Sequence, residues 1–366
     1  MGFYLGLMSG TSMDAIDAVL VDFDASPLRL VAASATAFDS QLKRRIAEIL
    51  DSPAEVALDE LGQLDVQLAR AFAEAALSLL SAAGVGSGSV IAIGSHGQTL
   101  RHRPELATPF TWQIGDPNTL CEMTGITVVA DFRRRDLAAG GQGAPLLPVF
   151  HDQVFRSDRE DRVIANLGGI ANITILRRAA TVTGFDTGPA NRLLDAWILQ
   201  HQGRDFDAGG AWAGTGRCDD ALLQTLLDEP YFKLSPPKST GRELFNLPWL
   251  KTRLGLFERR PQDVQATLQQ FTAATVAAAV AQHAPGAALY VCGGGAHNAG
   301  LLDALAERVA PNRVASTAAL GLDPDYVEAI AMAWFARRTL AGLTSSAGSV
   351  TGAKGARILG GVYRYA

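Results

Sequence analysis

The sequence predicts an α/β fold made of two related domains, with a nucleotide held in the cleft between them. One hairpin pattern occurs in each half: LMSGTSMDAIDAVL at residues 7–20 and NLGGIANITIL at residues 166–176 each read as a strand, a tight polar turn and a returning strand. Strand-like and helical runs alternate elsewhere, which is typical of sheets covered by helices. At 366 residues the chain is longer than one hydrophobic core usually serves. Because two such hairpins can close on a polyphosphate from both sides, we expect the ligand to be a nucleotide.

The elements follow in the same order in both halves. In the first half, helical stripes over 42–50 and 61–79 precede buried strands in VIAIGSHGQT and ITVVADFRRRD. In the second half, a helix over 193–199 and a stripe over 264–276 precede the strand ALYVCGGG. We expect the first domain over 1–137, completed by the C-terminal segment 343–366, and the second domain over 138–342. The Gly-rich AAGGQGAP at 138–145 and the helix break after Ala341 set these boundaries.

Composition and charge exclude several classes of protein. With 48% hydrophobic and 19% charged residues the composition is that of a globular protein, and the net charge of −5 gives no reason to expect nucleic acid or an anionic membrane as a partner. The three cysteines lack the spacing of a zinc site or a disulfide framework. The sequence shows neither a signal peptide nor an apolar run long enough to span a bilayer. We therefore expect a soluble, cytoplasmic protein.

Three loops are candidates for nucleotide binding. In SGTSMD, Gly10 permits a tight turn whose N–H groups and hydroxyls, on Ser9, Thr11 and Ser12, can bind phosphate oxygens, although a hairpin turn capped by hydroxyls has the same sequence. NLGGIAN is weaker alone, because Gly-Gly is common in hairpins, and gains weight from its pairing with the first loop. VCGGGAHNAGLLDAL suits an anion or an adenosine, or is a tight strand-to-helix turn. It does not match GxGxxG, which disfavours a Rossmann dehydrogenase.

Two carboxylates are candidate catalytic groups. Asp186 in TGFDTGPANRLLD lies between a strand and a helix, so it is either a helix cap or a general base at the cleft. Glu328 is followed by an apolar helical stripe at Ala331, Met332 and Phe335, where a carboxylate is costly unless it is paired or functional. The alternative for Glu328 is a partly solvated rim residue. The residues alone leave both alternatives open.

Two further polar loops are candidates for ligand binding. GSHGQTLRHRP places His96, Gln98, Thr99 and Arg101 directly after a strand, and PPKSTGRELFN is a Pro-bounded basic loop. Either loop could be ordinary solvated surface. The other histidines show no ligand spacing, so we expect no metal site built by the protein itself.

These motifs occur together in one known family. GLMSGTSMD, HGQT, ADFRRRDLAAGGQGAPL, NLGGIAN, GFDTGP, PPKSTGRE and CGGGAHN, followed by the helix with Glu328, closely resemble the anhydro-N-acetylmuramic acid kinases over essentially the whole chain. The resemblance implies the fold of the sugar kinase/Hsp70/actin superfamily, in which two RNase H-like domains hold ATP between them. It makes 10–14 and 168–172 the two phosphate loops, and it implies that the helix with Glu328 crosses back to the first domain.

The resemblance also implies roles for individual residues. Asp186 matches the catalytic base of the family, and Glu328 would help to hold the attacking water or the sugar. Sugar contacts are implied for His96, Gln98, Thr99, Arg133 and Gly188. ATP contacts are implied for Gly10, Thr11, Ser12, Met13, Asp14, Asn166, Gly168, Gly169, Asn172, Gly293, Gly294, Gly295 and Asn298.

The implied reaction is a double one. Water opens the 1,6-anhydro bridge of the sugar at C1 while the freed O6 takes the γ-phosphoryl group of Mg²⁺-bound ATP, which gives N-acetylmuramic acid 6-phosphate and ADP. The resemblance further implies a homodimer and a role in peptidoglycan recycling and amino-sugar catabolism. Three alternatives are a kinase for another anhydro sugar such as levoglucosan, a nucleotide-independent glycoside hydrolase using Asp186 and Glu328, and a non-catalytic ATP-switched protein.

Two positions depart from the family pattern. Ala15 and Ala190 stand where the family commonly has glycine. If the backbone needs a positive φ there, alanine costs about 1 kcal/mol or somewhat more. We expect both alanines to be tolerated.

Overall fold

The computed structural model describes residues 2–10, 13, 15–51, 56–256 and 258–366. The strands are β1 Phe3–Ser9, β2 Ala15–Asp22, β3 Arg29–Ala37, β4 Val90–Ser95, β5 Gln98–Arg103, β6 Phe110–Ile114, β7 Val128–Ala130, β8 Arg162–Leu167, β9 Ile170–Leu176, β10 Thr183–Pro189, β11 Ala288–Cys292, β12 Val314–Ser316 and β13 Gly361–Tyr363. The helices are α1 Ser40–Asp51, α2 Leu58–Ala82, α3 Pro117–Thr124, α4 Arg134–Ala138, α5 Leu147–Phe155, α6 Asn191–Gln202, α7 Asp220–Leu227, α8 Leu247–Leu254, α9 Pro261–His283, α10 Ala299–Val309, α11 Val327–Leu340 and α12 Gly348–Thr351. Within these ranges, none of the helices has the length and apolarity needed to cross a membrane.

The chain forms two compact units, one of Met1–Leu146 with Tyr326–Ala366 and the other of Leu147–Asp325. The first unit is built on a six-stranded sheet with the order β13-β7-β4-β1-β2-β3. Strands β1, β2 and β3 form an antiparallel meander, β4 is parallel to β1, and β7 is parallel to β4. Fully buried side chains such as Leu5 on β1 and Phe72 on α2 share one core beneath α1 and α2.

Helix α11 lies on the opposite face of this sheet, where two glycines allow its main chain to touch the strands. A Cβ atom on Gly6 would lie 1.9 Å from the carbonyl oxygen of Ala329, and one on Gly94 would lie 1.9 Å from that of Met332. Successive side chains of a strand point to opposite faces, so Gly6 faces α11 while Leu5 faces the core under α2. The two glycines therefore set the distance at which α11 packs.

The sheet described for the second unit repeats the topology of β7, β4, β1, β2 and β3, without a counterpart of β13. Its five-stranded sheet has the order β10-β9-β8-β11-β12, in which β8, β9 and β10 are an antiparallel meander, β11 is parallel to β8, and β12 is parallel to β11. Helices α9 and α10 bury their apolar side chains against it. Each unit thus carries one RNase H-like sheet that begins with a hairpin. This confirms the predicted α/β class and the duplicated hairpins.

The unit boundaries differ from those expected from the sequence. The Gly-rich segment 138–145 belongs to the first unit, because the amides of Gly141 and Gly143 bond to Asp136 and that of Gln142 bonds to Thr351. Helix α11 belongs there too, since it packs on β1, β2 and β4. An unbroken helical pattern up to Leu340 hides the chain's return to the first unit, which occurs at Tyr326.

Candidate functional site

The turn between β1 and β2 is the first of the two predicted phosphate loops. The N–H of Met13 donates to the carbonyl of Gly10 at 3.2 Å, and Met13 is buried with a left-handed φ of 54°. A non-glycine residue in this region is uncommon, so the surrounding structure must hold the turn. Thr11, Ser12 and Asp14 lie outside the described residues.

Side chains of the HGQT loop are anchored beside this turn. The hydroxyl of Ser9, the last residue of β1, donates to Oε1 of Gln98 at 2.6 Å, and both side chains are buried. The hydroxyl of Thr99 accepts from Nε2 of Gln113 on β6 at 3.1 Å. Of the predicted sugar contacts, Gln98 is thus bonded to the end of β1, whereas Thr99, itself on β5, is bonded to β6.

His96 and Arg133, also predicted to contact the sugar, bond directly to each other. Nε and Nη2 of Arg133 lie 3.0 and 2.9 Å from Nε2 of His96, while Nδ1 of His96 lies 2.8 Å from the carbonyl oxygen of Gly97. Arg133 has only donors, so Nε2 must accept and Nδ1 must carry the proton. Burial, reinforced by the positive charge of Arg133, lowers the pKa of His96 to about 3. The imidazole is therefore neutral at physiological pH.

Arg133 bonds to the main chain of Gly143, which is held by a buried carboxylate that the sequence did not single out. Its Nη1 donates to the carbonyl of Gly143 at 2.8 Å, and the N–H of Gly143 donates to Oδ2 of Asp136 at 2.8 Å. The hydroxyl of Thr351 donates to Oδ1 of Asp136 at 2.9 Å. Asp136 is fully buried, which raises the pKa of its carboxyl group. In the sequence, the bonds around Asp136 are indicated only by the glycine-rich segment DLAAGGQG that begins with it.

Buried neutral histidines make stability depend on pH. Burial lowers the pKa of His96 and that of His151 to about 3, whereas an unfolded histidine titrates near 6.5. The unfolded state then binds more protons below pH 6.5, so stability is lost as pH falls. We expect about 2 kcal/mol of lost unfolding free energy per histidine between pH 7 and pH 5. Urea unfolding at several pH values measures this, and His151→Gln should reduce the slope; an unchanged slope would contradict the account.

Three polar side chains lie in a row across the sheet of the second unit. Asn166 on β8 is the register partner of Asn172 on β9, and Asn172 is the partner of Asp186 on β10. Directly opposite residues project from the same face. Within the described part of the chain, Oδ1 of Asn166 and Oδ1 of Asn172 are buried without a hydrogen-bond partner. The acceptor oxygens of Asn166 and Asn172 therefore lie on the same face of the sheet as Asp186.

The Gly168–Gly169 turn joins β8 to β9 and rests on the start of α6. The N–H groups of Ala190 and Arg192 donate to the carbonyl of Gly169 at 3.0 and 3.2 Å, and that of Asn191 donates to the carbonyl of Gly168 at 3.0 Å. In a planar trans peptide the N–H points opposite to the C=O. The N–H of Gly169 therefore points away from α6, as a turn that binds an anion requires.

Neither Ala15 nor Ala190, which stand where the family commonly has glycine, has a left-handed backbone conformation. Ala190 has a φ of −114°, and Ala15 begins β2 opposite Ala37. The strain expected from a positive φ therefore does not arise at Ala190, and the extended strand gives no reason for it at Ala15.

Asp186 is buried within β10, four residues before the N-cap of α6 at Ala190, so the helix-cap alternative is wrong. Its Oδ2 accepts from the N–H of Thr240 at 3.0 Å, its own N–H donates to the carbonyl of Lys238 at 3.2 Å, and its carbonyl accepts from the hydroxyl of Tyr231 at 2.6 Å. The basic PPKSTG loop is thus bonded to Asp186. The sequence marks this loop by its prolines and basic residues, whereas no local pattern marks Tyr231.

Gly188 lies two residues after Asp186, at a bulge in β10, and its φ is 141°. A Cβ atom there would lie 2.8 Å from the ring of Phe232, so close packing and the unusual φ both require glycine. The packing against Phe232 accounts for this glycine by itself, so the sugar contact of Gly188 stays a prediction.

The glycines after β11 let that strand approach the end of β8. Gly293 has a φ of 78°, and a Cβ atom on it would lie 2.4 Å from Oδ1 of Asn166; one on Gly295 would lie 2.5 Å from Cβ of Leu167. Asn298 caps α10 by accepting from the N–H of Leu301 at 3.0 Å. A cavity of about 500 Å³ opens beside this turn and is lined by Ala296, His297, Ser316, Ala318, Gly321, Asp323, Pro324 and Asp325.

Glu328 lies half-buried in the first turn of α11. Its neighbour Ala329 is the residue whose carbonyl meets Gly6 of β1. The packing of α11 on the sheet therefore fixes the place of this carboxylate within the first unit.

The chain closely matches one family of proteins. A family model described as anhydro-N-acetylmuramic acid kinase matches residues 2–365. The protein of that name from Xanthomonas campestris pv. campestris is 53% identical over 364 residues, which cover 98% of this chain and 97% of that protein. The corresponding protein from Xylella fastidiosa is 50% identical, with 98% and 96% covered, and that from Coxiella burnetii is 49% identical, with 98% and 97% covered.

Proposed function

The chain belongs to the anhydro-N-acetylmuramic acid kinase family, and from that premise we propose that it converts 1,6-anhydro-N-acetylmuramic acid, ATP and water into N-acetylmuramic acid 6-phosphate and ADP. The strongest support is the 49–53% identity, over 98% of the chain, to proteins named for this activity. The product would serve peptidoglycan recycling and amino-sugar catabolism.

Asp186 is the proposed general base. Its carboxylate takes a proton from water as the water oxygen bonds to C1 and the C1–O6 bond breaks. The released O6 bonds to the γ-phosphorus, and the bond from that phosphorus to the bridging oxygen of ADP breaks. Support comes from the burial of Asp186 and from the N–H of Thr240, which directs Oδ2. An oriented base near the reacting water is what this step needs from the protein.

The two hairpin turns are the proposed phosphate loops, and the Gly293–Gly295 turn is the proposed neighbour of adenosine. Mg²⁺ would arrive with ATP and neutralise charge on the phosphates. The chain offers oxygen ligands suited to this ion at Asn166 and Asn172, whose buried Oδ1 atoms lack partners in the described ranges. We propose that these oxygens, beside Asp186, face the Mg²⁺-bound phosphates.

The sugar is proposed to contact His96, Gln98, Thr99, Arg133 and Gly188, with Glu328 holding the attacking water or the sugar. The bond between His96 and Arg133 supports the first part, because it fixes the direction of the Arg133 guanidinium; both ring nitrogens of His96 are themselves bonded, to Arg133 and to Gly97. Positioned groups of this kind contribute by orientation, since phosphoryl transfer asks little covalent chemistry of the protein.

ADP release tests the proposal. Purified protein with Mg-ATP should release ADP with 1,6-anhydro-N-acetylmuramic acid and not with levoglucosan. Turnover of levoglucosan alone would keep the mechanism and change the substrate. Opening of the anhydro ring without ATP would support the glycoside hydrolase instead, and no turnover of any anhydro sugar would contradict an anhydro-sugar kinase.

A further inference from the structure

Asp186 lies on the outer edge of its sheet. Strand β10 is the last strand of the order β10-β9-β8-β11-β12. The N–H and C=O of one strand residue point to the same side, and at Asp186 the N–H bonds to Lys238 and the C=O to Tyr231, both within residues 231–240. An edge strand lacks a neighbouring strand on one side, and at Asp186 residues 231–240 supply main-chain hydrogen bonds on that side.

Residues 231–240, here called the clamp segment, hold Asp186 at three atoms. The Tyr231 hydroxyl holds the carbonyl oxygen, the Lys238 carbonyl holds the N–H, and the Thr240 N–H holds Oδ2. A donor on a carboxylate oxygen restricts rotation of the side chain, and the two main-chain bonds fix the strand that carries it. The position and the direction of the carboxylate therefore both depend on the clamp segment.

Tyr231 anchors the clamp segment in the core of the second unit and is joined to Lys238. Nζ of Lys238 donates to the carbonyl of Tyr231 at 3.3 Å and lies 4.7 Å from the centre of the Tyr231 ring. The ring of Tyr231 is buried and contacts those of Phe232 and Phe245. Burial, and then the charge of Asp186, raise the pKa of the Tyr231 phenol, so its hydroxyl stays a donor at neutral pH.

We propose that Tyr231 is a positioning residue for the catalytic carboxylate, acting with the Thr240 N–H through the clamp segment. The inference rests on the proposed role of Asp186 as the base. Tyr231 touches no reacting atom in this account, and its effect on the reaction passes through Asp186.

Tyr231→Phe tests the inference, because it keeps the buried ring and removes only the hydroxyl. We expect kcat for sugar phosphorylation to fall about 10-fold or more, since small misplacement of a catalytic group is costly. The KM values for ATP and sugar should stay within about two-fold, because binding does not use the base. Tyr290→Phe is the matched control: it removes another hydroxyl of the second unit, which donates to Glu160 at 3.0 Å, and should leave kcat unchanged.

A second pair of variants tests the same carboxylate without touching Tyr231. Thr240→Pro removes the N–H that donates to Oδ2, whereas Thr240→Ala keeps it. We expect kcat at least about 10-fold lower for the proline variant than for the alanine variant. If Tyr231→Phe lowers the thermal midpoint as Tyr290→Phe does and leaves kcat at the wild-type value, Tyr231 is merely structural and the inference is overturned. An inactive wild-type protein would overturn the proposed function instead, and the inference with it.

Discussion

Asp186→Asn is expected to abolish sugar phosphorylation and to leave ATP binding intact. Asparagine has the same shape, and its carbonyl oxygen can still accept the Thr240 N–H that now bonds to Oδ2 at 3.0 Å. It cannot accept a proton from water, so the step that opens the anhydro bridge loses its base. General-base catalysis contributes about 10²- to 10⁴-fold, which sets the expected loss in kcat.

The measurement combines steady-state phosphorylation with calorimetric titration of ATP. Asp205→Asn is the control, because Asp205 is an exposed carboxylate of the same unit and its loss should not change kcat. The dissociation constant for ATP should stay within about two-fold of the wild-type value. Retained turnover in Asp186→Asn would show that Asp186 is not the base.

Gly6→Ala is expected to destabilise the first unit severely. Its Cβ atom would lie 1.9 Å from the carbonyl oxygen of Ala329 and 3.0 Å from the nitrogen of Ala333, both in the main chain of α11. No rotamer relieves a clash with main chain, so α11 must move away from β1. Overpacking of this kind costs about 3 kcal/mol or more. Because Glu328 precedes Ala329, the same displacement should also lower the activity.

Urea unfolding monitored by circular dichroism measures this change. Gly62→Ala is a matched control, since Gly62 lies in helix α2 of the same unit and an added Cβ meets nothing within 4 Å. Alanine in that helix should raise the unfolding free energy by about 0.5 to 1 kcal/mol. Equal stability of Gly6→Ala and the wild-type protein would contradict the close packing of α11 on β1.

The fold could be predicted because its signals are local. The two hairpins show as paired apolar runs around glycine turns, and the structure confirms both, at β1–β2 and β8–β9. The residue patterns place the return to the first unit too late, after residue 342, whereas the family resemblance correctly implies that the helix with Glu328 returns to it. What assigns α11 to the first unit is its contact with β1 and β4, more than 200 positions away along the chain, and a helical pattern carries no record of its packing partner.

In the candidate site, too, local features could be predicted from the sequence and contacts between distant residues could not. Asp186 and the HGQT loop stand out because polar residues follow apolar strand runs, and the family resemblance implies Arg133. The bonds from Tyr231 and Thr240 to Asp186 span 45 and 54 residues, and that from Thr351 to Asp136 spans 215. Hydrogen bonds of this kind leave no periodicity. The motifs PPKSTG and AAGGQGAP could therefore be noticed in the sequence but not explained before the structure.

The central claim is that one reaction couples hydrolysis of the anhydro bridge to phosphorylation of O6. Mass spectrometry of the sugar formed from 1,6-anhydro-N-acetylmuramic acid and Mg-ATP in ¹⁸O-labelled water tests it most directly. The account predicts a 6-phosphate with a single label, at C1, and none in the phosphate. A label in the phosphate, or a phosphorylated sugar that retains its anhydro bridge, would contradict it.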